Sequence, residues 1–280
     1  MPPRNYYLGC PGWGASALHP PGTRATDQLE RYARVFNTVE GNTTFYALPS
    51  TDTVARWRDQ VPDDFRFCFK FPRAVTHDKL LVDCGREVDE FLGRIAPLGT
   101  TLGTLVVQLP PQFDGSHVAR LAAFLDPLPR AHHYAVELRH EAFFADTAAA
   151  RAAIELLRER GVDLVVLDTR GVHSSKSLTM ADVRARKPVL PVIVRTTGVQ
   201  PIVRCVPHDD FDAGRHLVEP WAPQLARWIA DGMRPYFFMH APDETLAPGN
   251  AYAFHEMLRR HADVGELPPW PGGPRQLALL

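Results

Sequence analysis

The chain has little that would cross-link it or carry it into a membrane. Its 280 residues include only 4 cysteines, Cys10, Cys68, Cys84 and Cys205. They are widely spaced and form no CxxC pair, which argues against a zinc ribbon or a redox dithiol and fits a reducing, cytoplasmic compartment. No run of about 18 apolar residues could span a bilayer. The N-terminal MPPRNYYLGCPGWG has no continuous apolar h-region, so a soluble, unexported protein is expected. A dominant charge is missing too. The 31 Lys and Arg nearly cancel the 32 Asp and Glu, so no global field draws the chain to nucleic acid or an anionic membrane, although a local basic cleft remains compatible with this balance. There is no GxGxxG after a strand, no P-loop, no GxSxG elbow and no HExxH, HxH or HxxEH arrangement.

What is present is a repeated alternation of strand-like and helix-like segments. With 45% hydrophobic residues, the chain can bury one large core, and α/β barrels use about 250 residues as a single domain. Strands are expected at Tyr6–Gly9, Val35–Glu40, Phe65–Phe71, Leu102–Leu109, His133–Leu138, Val162–Asp168, Pro191–Arg195 and Tyr236–His240. Between them, apolar residues recur at helical spacing. Examples are Leu29, Tyr32, Ala33 and Phe36 after a Thr26 cap, Val54 and Trp57, Val88, Phe91, Leu92 and Ile95, and Val118, Leu121, Ala122 and Leu125. A helix over 147–160 is closed by Gly161. Leu217, Trp221, Leu225 and Trp228 mark another, and a last one runs from about Asn250 to Arg260. Eight such repeats predict a parallel (β/α)8 TIM-like barrel of one domain over residues 1–262. Residues 263–280, rich in Pro and Gly, are expected to form a surface-lying or disordered tail.

Seven of the apolar runs stop on or just short of a polar residue: Glu40, Lys70, Gln108, Glu137, Asp168, Arg195 and His240. A parallel barrel builds its site from the C-terminal ends of its strands, so this pattern predicts both fold and site. The third strand shows the logic. Phe65, Phe67, Phe69 and Phe71 share one face, and Arg66, Cys68 and Lys70 share the other, which aims Lys70 at the mouth. Glu137 and Arg139 share parity in the same way, provided that Ala135 faces the interior.

Several long segments resemble a known family. They are Gly9 to Trp13 (GxxGW), Leu29 to Ser50, FRFCFKFPRAVTH from Phe65 to His77, LGTLVVQLPPQF from Leu102 to Phe113, AVELRH from Ala135 to His140, and Asn250-Ala251. Together they are similar to the YecE-like domain of unknown function, number seventy-two in that series, across most of residues 5 to 260. The resemblance implies a TIM-barrel-like fold, a bacterial or archaeal cytoplasmic context and no established activity. Its barrel shape is shared with endonuclease IV and the sugar isomerases, which implies metal-dependent chemistry by fold analogy alone. This chain departs from the family pattern in two places. Strand seven reads Arg195-Thr196-Thr197-Gly198 where Arg-x-His-Gly is usual. Strand eight ends in His240-Ala241-Pro242-Asp243 where an Asn pair is usual, so His240 becomes a candidate replacement donor or ligand.

Three cations, Lys70, Arg139 and Arg195, are expected at one mouth and suggest a small ligand bearing phosphate or carboxylate. Glu137, Glu40 and His77 are the candidates for moving a proton. Gln108 suits a substrate hydroxyl or amide, Asp168 and His240 complete the polar ring, and Trp13 can stack on a ring or cover the barrel. Each has a blander reading: a rim ion pair for Glu137–Arg139, loop capping by Asn42 and Asp168, a salt bridge for Arg195, and a cap or backbone contact for His77. The leading expectation is an enzyme acting on a small anion by acid/base chemistry, with hydrolysis, isomerisation and lyase reactions all open. One alternative is a metal-dependent phosphodiesterase or nuclease resembling endonuclease IV, with a divalent metal on Glu40, Glu137, Asp168 and His77 or His240. The other is a noncatalytic ligand-binding barrel. His132-His133, before strand five, is assigned a structural role.

Overall fold

A computed structural model describes residues 5–177 and 180–269. Eight parallel strands are β1 (Tyr7–Gly9), β2 (Thr38–Gly41), β3 (Arg66–Lys70), β4 (Leu102–Gln108), β5 (Tyr134–Glu137), β6 (Asp163–Asp168), β7 (Ile202–Cys205) and β8 (Tyr236–Met239). Their order is β1-β8-β7-β6-β5-β4-β3-β2, so each strand lies beside its sequence neighbour and β1 and β2 meet at the seam. Around them run α1 (Gln28–Ala33), α2 (Thr43–Tyr46), α3 (Thr51–Asp59), α4 (Gly85–Ile95), α5 (Val118–Leu125), α6 (Ala148–Glu159), α7 (Arg170–Ser174), α8 (Ala181–Arg186), α9 (Phe211–Val218), α10 (Trp221–Ala230) and α11 (Ala247–Arg259). This is the expected single-domain TIM-like barrel.

Strand alternation splits the core in two. Tyr7, Cys68, Val106, Ala135, Val165, Ile202, Tyr236 and Phe238 form a compact cluster inside the barrel. The opposite parity, including Phe65, Phe67, Phe69 and Phe71, joins the larger cluster between strands and helices. The rings of Phe67 and Phe69 stack on Trp57 of α3, and burying each such ring contributes about 2–3 kcal/mol.

The β1–β2 seam is sewn partly by side chains. Asn37 accepts from Leu8 N at 2.9 Å and donates to Tyr6 O at 2.9 Å, standing in for a strand backbone. The Tyr32 hydroxyl accepts from Cys10 N and donates to Thr38 O, both at 2.8 Å. Higher up, Glu40 N donates to Cys10 O at 3.1 Å and Gly12 N to Glu40 O at 3.1 Å. Gly9 is required here, because a Cβ would collide with the Thr38 carbonyl.

Three expectations need correction. The seventh strand is Ile202–Cys205, not Pro191–Arg195. Pro188 and Pro191 lack the N–H that a strand inside a parallel sheet must donate, whereas Ile202–Cys205 pairs in register with both β6 and β8. The segment from Leu217 to Trp228 is two helices, broken at Glu219-Pro220, where Pro220 has no N–H to carry the hydrogen-bond ladder onward. The last helix begins at Ala247, with Pro248 in its first turn, where its missing N–H costs nothing. Of the proline-rich stretch, residues 263–269 lie along α11, with Val264 buried and Tyr252 donating to Pro268 O at 2.6 Å. Residues 270–280 lie outside the described residues.

Candidate active site at the barrel mouth

The inward parity of the strands continues to their C-terminal ends. Ala135 lies inside the barrel, so Glu137 does as well. Glu40, Lys70, Gln108, Glu137, Arg204 and His240 share that parity and are all buried. Arg204 is the centre. Its Nε and Nη2 donate to the two oxygens of Glu40 at 2.7 and 2.8 Å, and its Nη1 donates to Glu137 Oε2 at 2.5 Å. A planar fork aimed at two carboxylates fixes both in orientation. Lys70 Nζ stands 3.2 Å from Glu40 Oε1. His240 Nε2 lies 3.1 Å from Glu40 Oε2. Arg139, less buried, donates from Nε to Glu137 Oε1 at 2.6 Å. Among the described residues the rest of its guanidinium has no protein hydrogen bond.

These contacts decide the charge states. Burial alone would raise the Glu40 carboxyl, but Arg204, then Lys70 and His240, outweigh it and hold it well below the usual range. Burial opposes ionisation of Glu137 too, and Arg139, Arg204 and Lys70 reverse it. Desolvation lowers Lys70 to about 8, with Arg204 adding to the effect and the glutamates offsetting part of it. Lys187, just past α8, is likewise lowered to about 8, first by burial and then by Arg204 and Arg139. His240 falls to about 4, mainly through desolvation and in spite of Glu40. The mouth therefore sets Arg204, Arg139, Lys70 and Lys187 against Glu40 and Glu137, an excess of positive charge in a desolvated place.

His77 sits on a widened helical turn, Ala74–Asp78, after β3. Its Nδ1 is 2.9 Å from Thr76 Oγ1, and burial followed by Arg139 and Arg73 lowers it to about 4. The chain then passes through Leu80, Leu81 and Asp83, all with left-handed φ of 46°, 68° and 48°. Three such non-glycine residues carry strain of order 1–3 kcal/mol each, and strain of this kind gathers at functional loops. Buried Leu81 and the bonds from Lys79 Nζ to Asp83 O and Glu87, both at 2.8 Å, hold the loop in place.

The structure does not bring Asp168, Arg195 or Trp13 to this cluster. Val165 and Leu167 face inward, so Asp168 has outward parity. It accepts from Arg170 Nε and Nη2 at 3.0 and 2.7 Å and from Trp221 Nε1 at 2.8 Å, and it also takes the Arg170 backbone N–H. Arg195 lies with Pro191 and Ile193 beside Leu138, Phe143, Ile154 and Leu164, outside β5 and β6. Trp13 packs edge-on against Trp57 at 5.3 Å, covering the outside of β3. Sequence reasoning missed Arg204 and Lys187, of which only Arg204 ends an apolar run. Asn42 does not cap its loop: its Oδ1 is buried without a protein partner, as is Gln108 Oε1.

The residues proposed for a divalent metal do not fit one. The oxygens of Glu40 and Glu137 are already engaged by cations, Asp168 faces away, and no group of three or more His, Cys, Asp or Glu among the described residues could hold an ion. The four cysteines are all buried and free. Burial pushes the Cys68 thiol up to about 12 and those of Cys10 and Cys205 well above the ordinary range, so none is a ready nucleophile.

Eight parallel strands, a helical wrap and a buried ring of cations and carboxylates at the strand C-termini define a TIM-like barrel with its candidate site at the mouth. The family model described as "Protein of unknown function DUF72" matches residues 7–274, and the chain belongs to that family. It is 40% identical over 269 residues to UPF0759 protein YecE of Escherichia coli strain K12, covering 95% of this chain and 97% of that protein. Over 115 residues it is 29% identical to UPF0759 protein YunF of Bacillus subtilis strain 168, covering 39% of this chain and 41% of that one. Among solved structures, a DUF72 family protein of Thermotoga maritima MSB8 superposes with TM-score 0.67 at 23% identity, over 91% of this chain and 99% of that chain. One from Enterococcus faecalis V583 has TM-score 0.67 at 18% identity, over 94% and 98%. At such identities these structures speak to the fold. No helix of the described residues is long and apolar enough to cross a membrane.

Proposed function

We propose that this protein is a barrel enzyme that binds a small organic anion, bearing phosphate or carboxylate, at the C-terminal mouth. The observation that carries this is the charge count in the buried ring. Arg204 is consumed by Glu40 and Glu137, which leaves Arg139 and Lys187 with unspent donors and positive charge beyond what the two glutamates neutralise. An anion completes that balance. Arg139 is the bidentate grip, and Lys187 and Lys70 supply the remaining charge.

The proton-moving role moves away from the glutamates in this reading. Carboxylates held ionised by two or more cations exchange protons poorly near neutrality, whereas lysines lowered to about 8 are matched to it. Lys70 is thus the preferred acid/base group, with His77 at the rim as its partner. The locked state of Glu40 and Glu137 also favours a second reading, a noncatalytic binding barrel in which they only brace Arg204. The buried, unpaired cysteines support a reducing, cytoplasmic setting.

The test is thermal denaturation with sulfate, phosphate and small carboxylates against sodium chloride of equal ionic strength. Anions should raise Tm at pH 7 and lose the effect above pH 9, where both lysines have shed their protons. Arg139→Gln with Lys187→Gln should abolish it. Equal Tm in all salts would overturn the anion reading. Anions that bind without turning over would leave the binding barrel standing.

A further inference from the structure

Gln108 closes β4, paired in register with Glu137 of β5, and is only 6% exposed. Its side-chain oxygen has no protein partner, although a buried amide acceptor is ordinarily satisfied. No donor among the described residues reaches it. Arg204 spends Nε and both Nη on the glutamates, Lys70 is turned to Glu40, and Arg139 Nε is on Glu137. Nor can the strand slip to relieve it, because Leu109 N donates to Glu137 O at 2.9 Å and locks the register. Neighbouring strands lie about 4.8 Å apart, so the orphaned oxygen is one strand away from the carboxylate that carries Arg139. Asn42 Oδ1, two residues past Glu40, is a second buried acceptor without a protein partner.

Building on the anion reading above, we infer that the ligand is a hydroxylated organic anion, a hydroxy acid or a sugar or polyol phosphate, whose hydroxyl donates to Gln108 Oε1 while its charged group engages Arg139 and Lys187. A site built around an unpaired polar atom discriminates strongly against an analogue that lacks the matching group. A bare anion satisfies the cations and leaves Oε1 unpaired. The hydroxylated one satisfies both.

The experiment is calorimetric titration of the wild-type protein with matched pairs: glycerol 3-phosphate against propyl phosphate, and lactate against propionate, with sulfate as the anion that carries no hydroxyl. The phosphate and carboxylate arms distinguish which head group the cations take. In at least one pair the hydroxylated member should bind about tenfold more tightly or better. Gln108→Met, similar in length but without the acceptor, should reduce that preference to within about twofold and leave sulfate affinity unchanged. It removes an unsatisfied buried oxygen and should fold at least as well as the parent; the wild-type preference needs no variant at all. Anions that bind with no gain from the hydroxyl, or a gain that survives Gln108→Met, would overturn this inference alone. Failure of sulfate and every organic anion to bind would overturn the anion reading and this inference with it.

Discussion

Glu137 and Asp163 stand in the same barrel interior, on neighbouring strands and at opposite ends, and burial has opposite outcomes for them. Glu137 is 0% exposed and Asp163 2% exposed, so both lose their hydration almost completely. Glu137 receives Arg139 and Arg204 and stays ionised far into the acid range. Asp163, at the start of β6, receives among the described residues only the Gln200 backbone N–H, at 3.0 Å, and desolvation raises it to about 7. At that end, Arg66, Arg234, His132 and His133 line an open cleft of about 520 Å³ but form no ion pair with Asp163. Depth does not decide the charge of a buried carboxyl; the cation aimed at it does. The mouth is built to hold charge, and the base is built to hold the chain.

The comparison breaks most violently if the shared cation is removed. Arg204→Met leaves Glu40 and Glu137 buried with fewer partners and should cost about 3–5 kcal/mol in urea denaturation at pH 7. Adding Glu40→Gln and Glu137→Gln should recover a large part of that loss. A single variant as stable as the parent would mean that the triad is solvated and the mouth's electrostatics are ordinary.

At the other end the sign reverses. The folded-state value of Asp163 is raised above its unfolded one, so its contribution is fully present below about 4 and is lost as pH rises through about 7. Asp163→Asn keeps the acceptor for Gln200 N. It should therefore stabilise the protein by about 2–4 kcal/mol at pH 8 and have little effect at pH 4. Denaturation curves at the two pH values check it, and a pH-independent difference would reject it. The glutamates run the other way. Their lowered values contribute stability that is present above the usual carboxylate range and is lost only as pH falls well below it.

A smaller effect belongs to the lysines. In protein labelled at lysine Cε, two amines should titrate near pH 8, well below the ordinary lysine range. Lysine resonances that all move together in the ordinary lysine range would remove the depressed pair, and with it the expected loss of anion binding above pH 9.

Much of this site was legible because strands alternate. Once Phe65, Phe67, Phe69 and Phe71 claim one face, Lys70 is assigned to the other, and the same count places Glu40, Gln108, Glu137 and His240. The misses have physical causes. The chain offers two similar runs, Pro191 to Arg195 and Pro201 to Cys205, each a few β-branched residues before an arginine. Which of them joins the sheet depends on pairing with β6 and β8, and local sequence does not carry that choice, so Arg204 was hidden behind Arg195. Lys187 arrives from the connection after α8, where no strand parity exists to point to it. For Trp13, of the two roles open to it, stacking on a ring or covering the barrel, the structure has the covering one, against Trp57 of α3.

Asp168 supplies the gentlest test, because it was misread by a single residue. Leu167 takes the inward place at the top of β6, and Asp168 turns outward to Arg170 and Trp221. Asp168→Asn retains an oxygen for Trp221 Nε1 but loses the charge opposite an arginine that is partly exposed, so about 1 kcal/mol of stability should go. Anion affinity at the mouth should not change at all, since the Asp168 carboxylate is bonded to Arg170 and Trp221 and faces away from the cations of the mouth. The same substitution at Glu137 removes a charge that two arginines share and must alter anion affinity. Titrating sulfate into the two variants side by side therefore separates a carboxylate of the mouth from one that merely ends a strand. A loss of sulfate binding in Asp168→Asn would place β6 in the site after all.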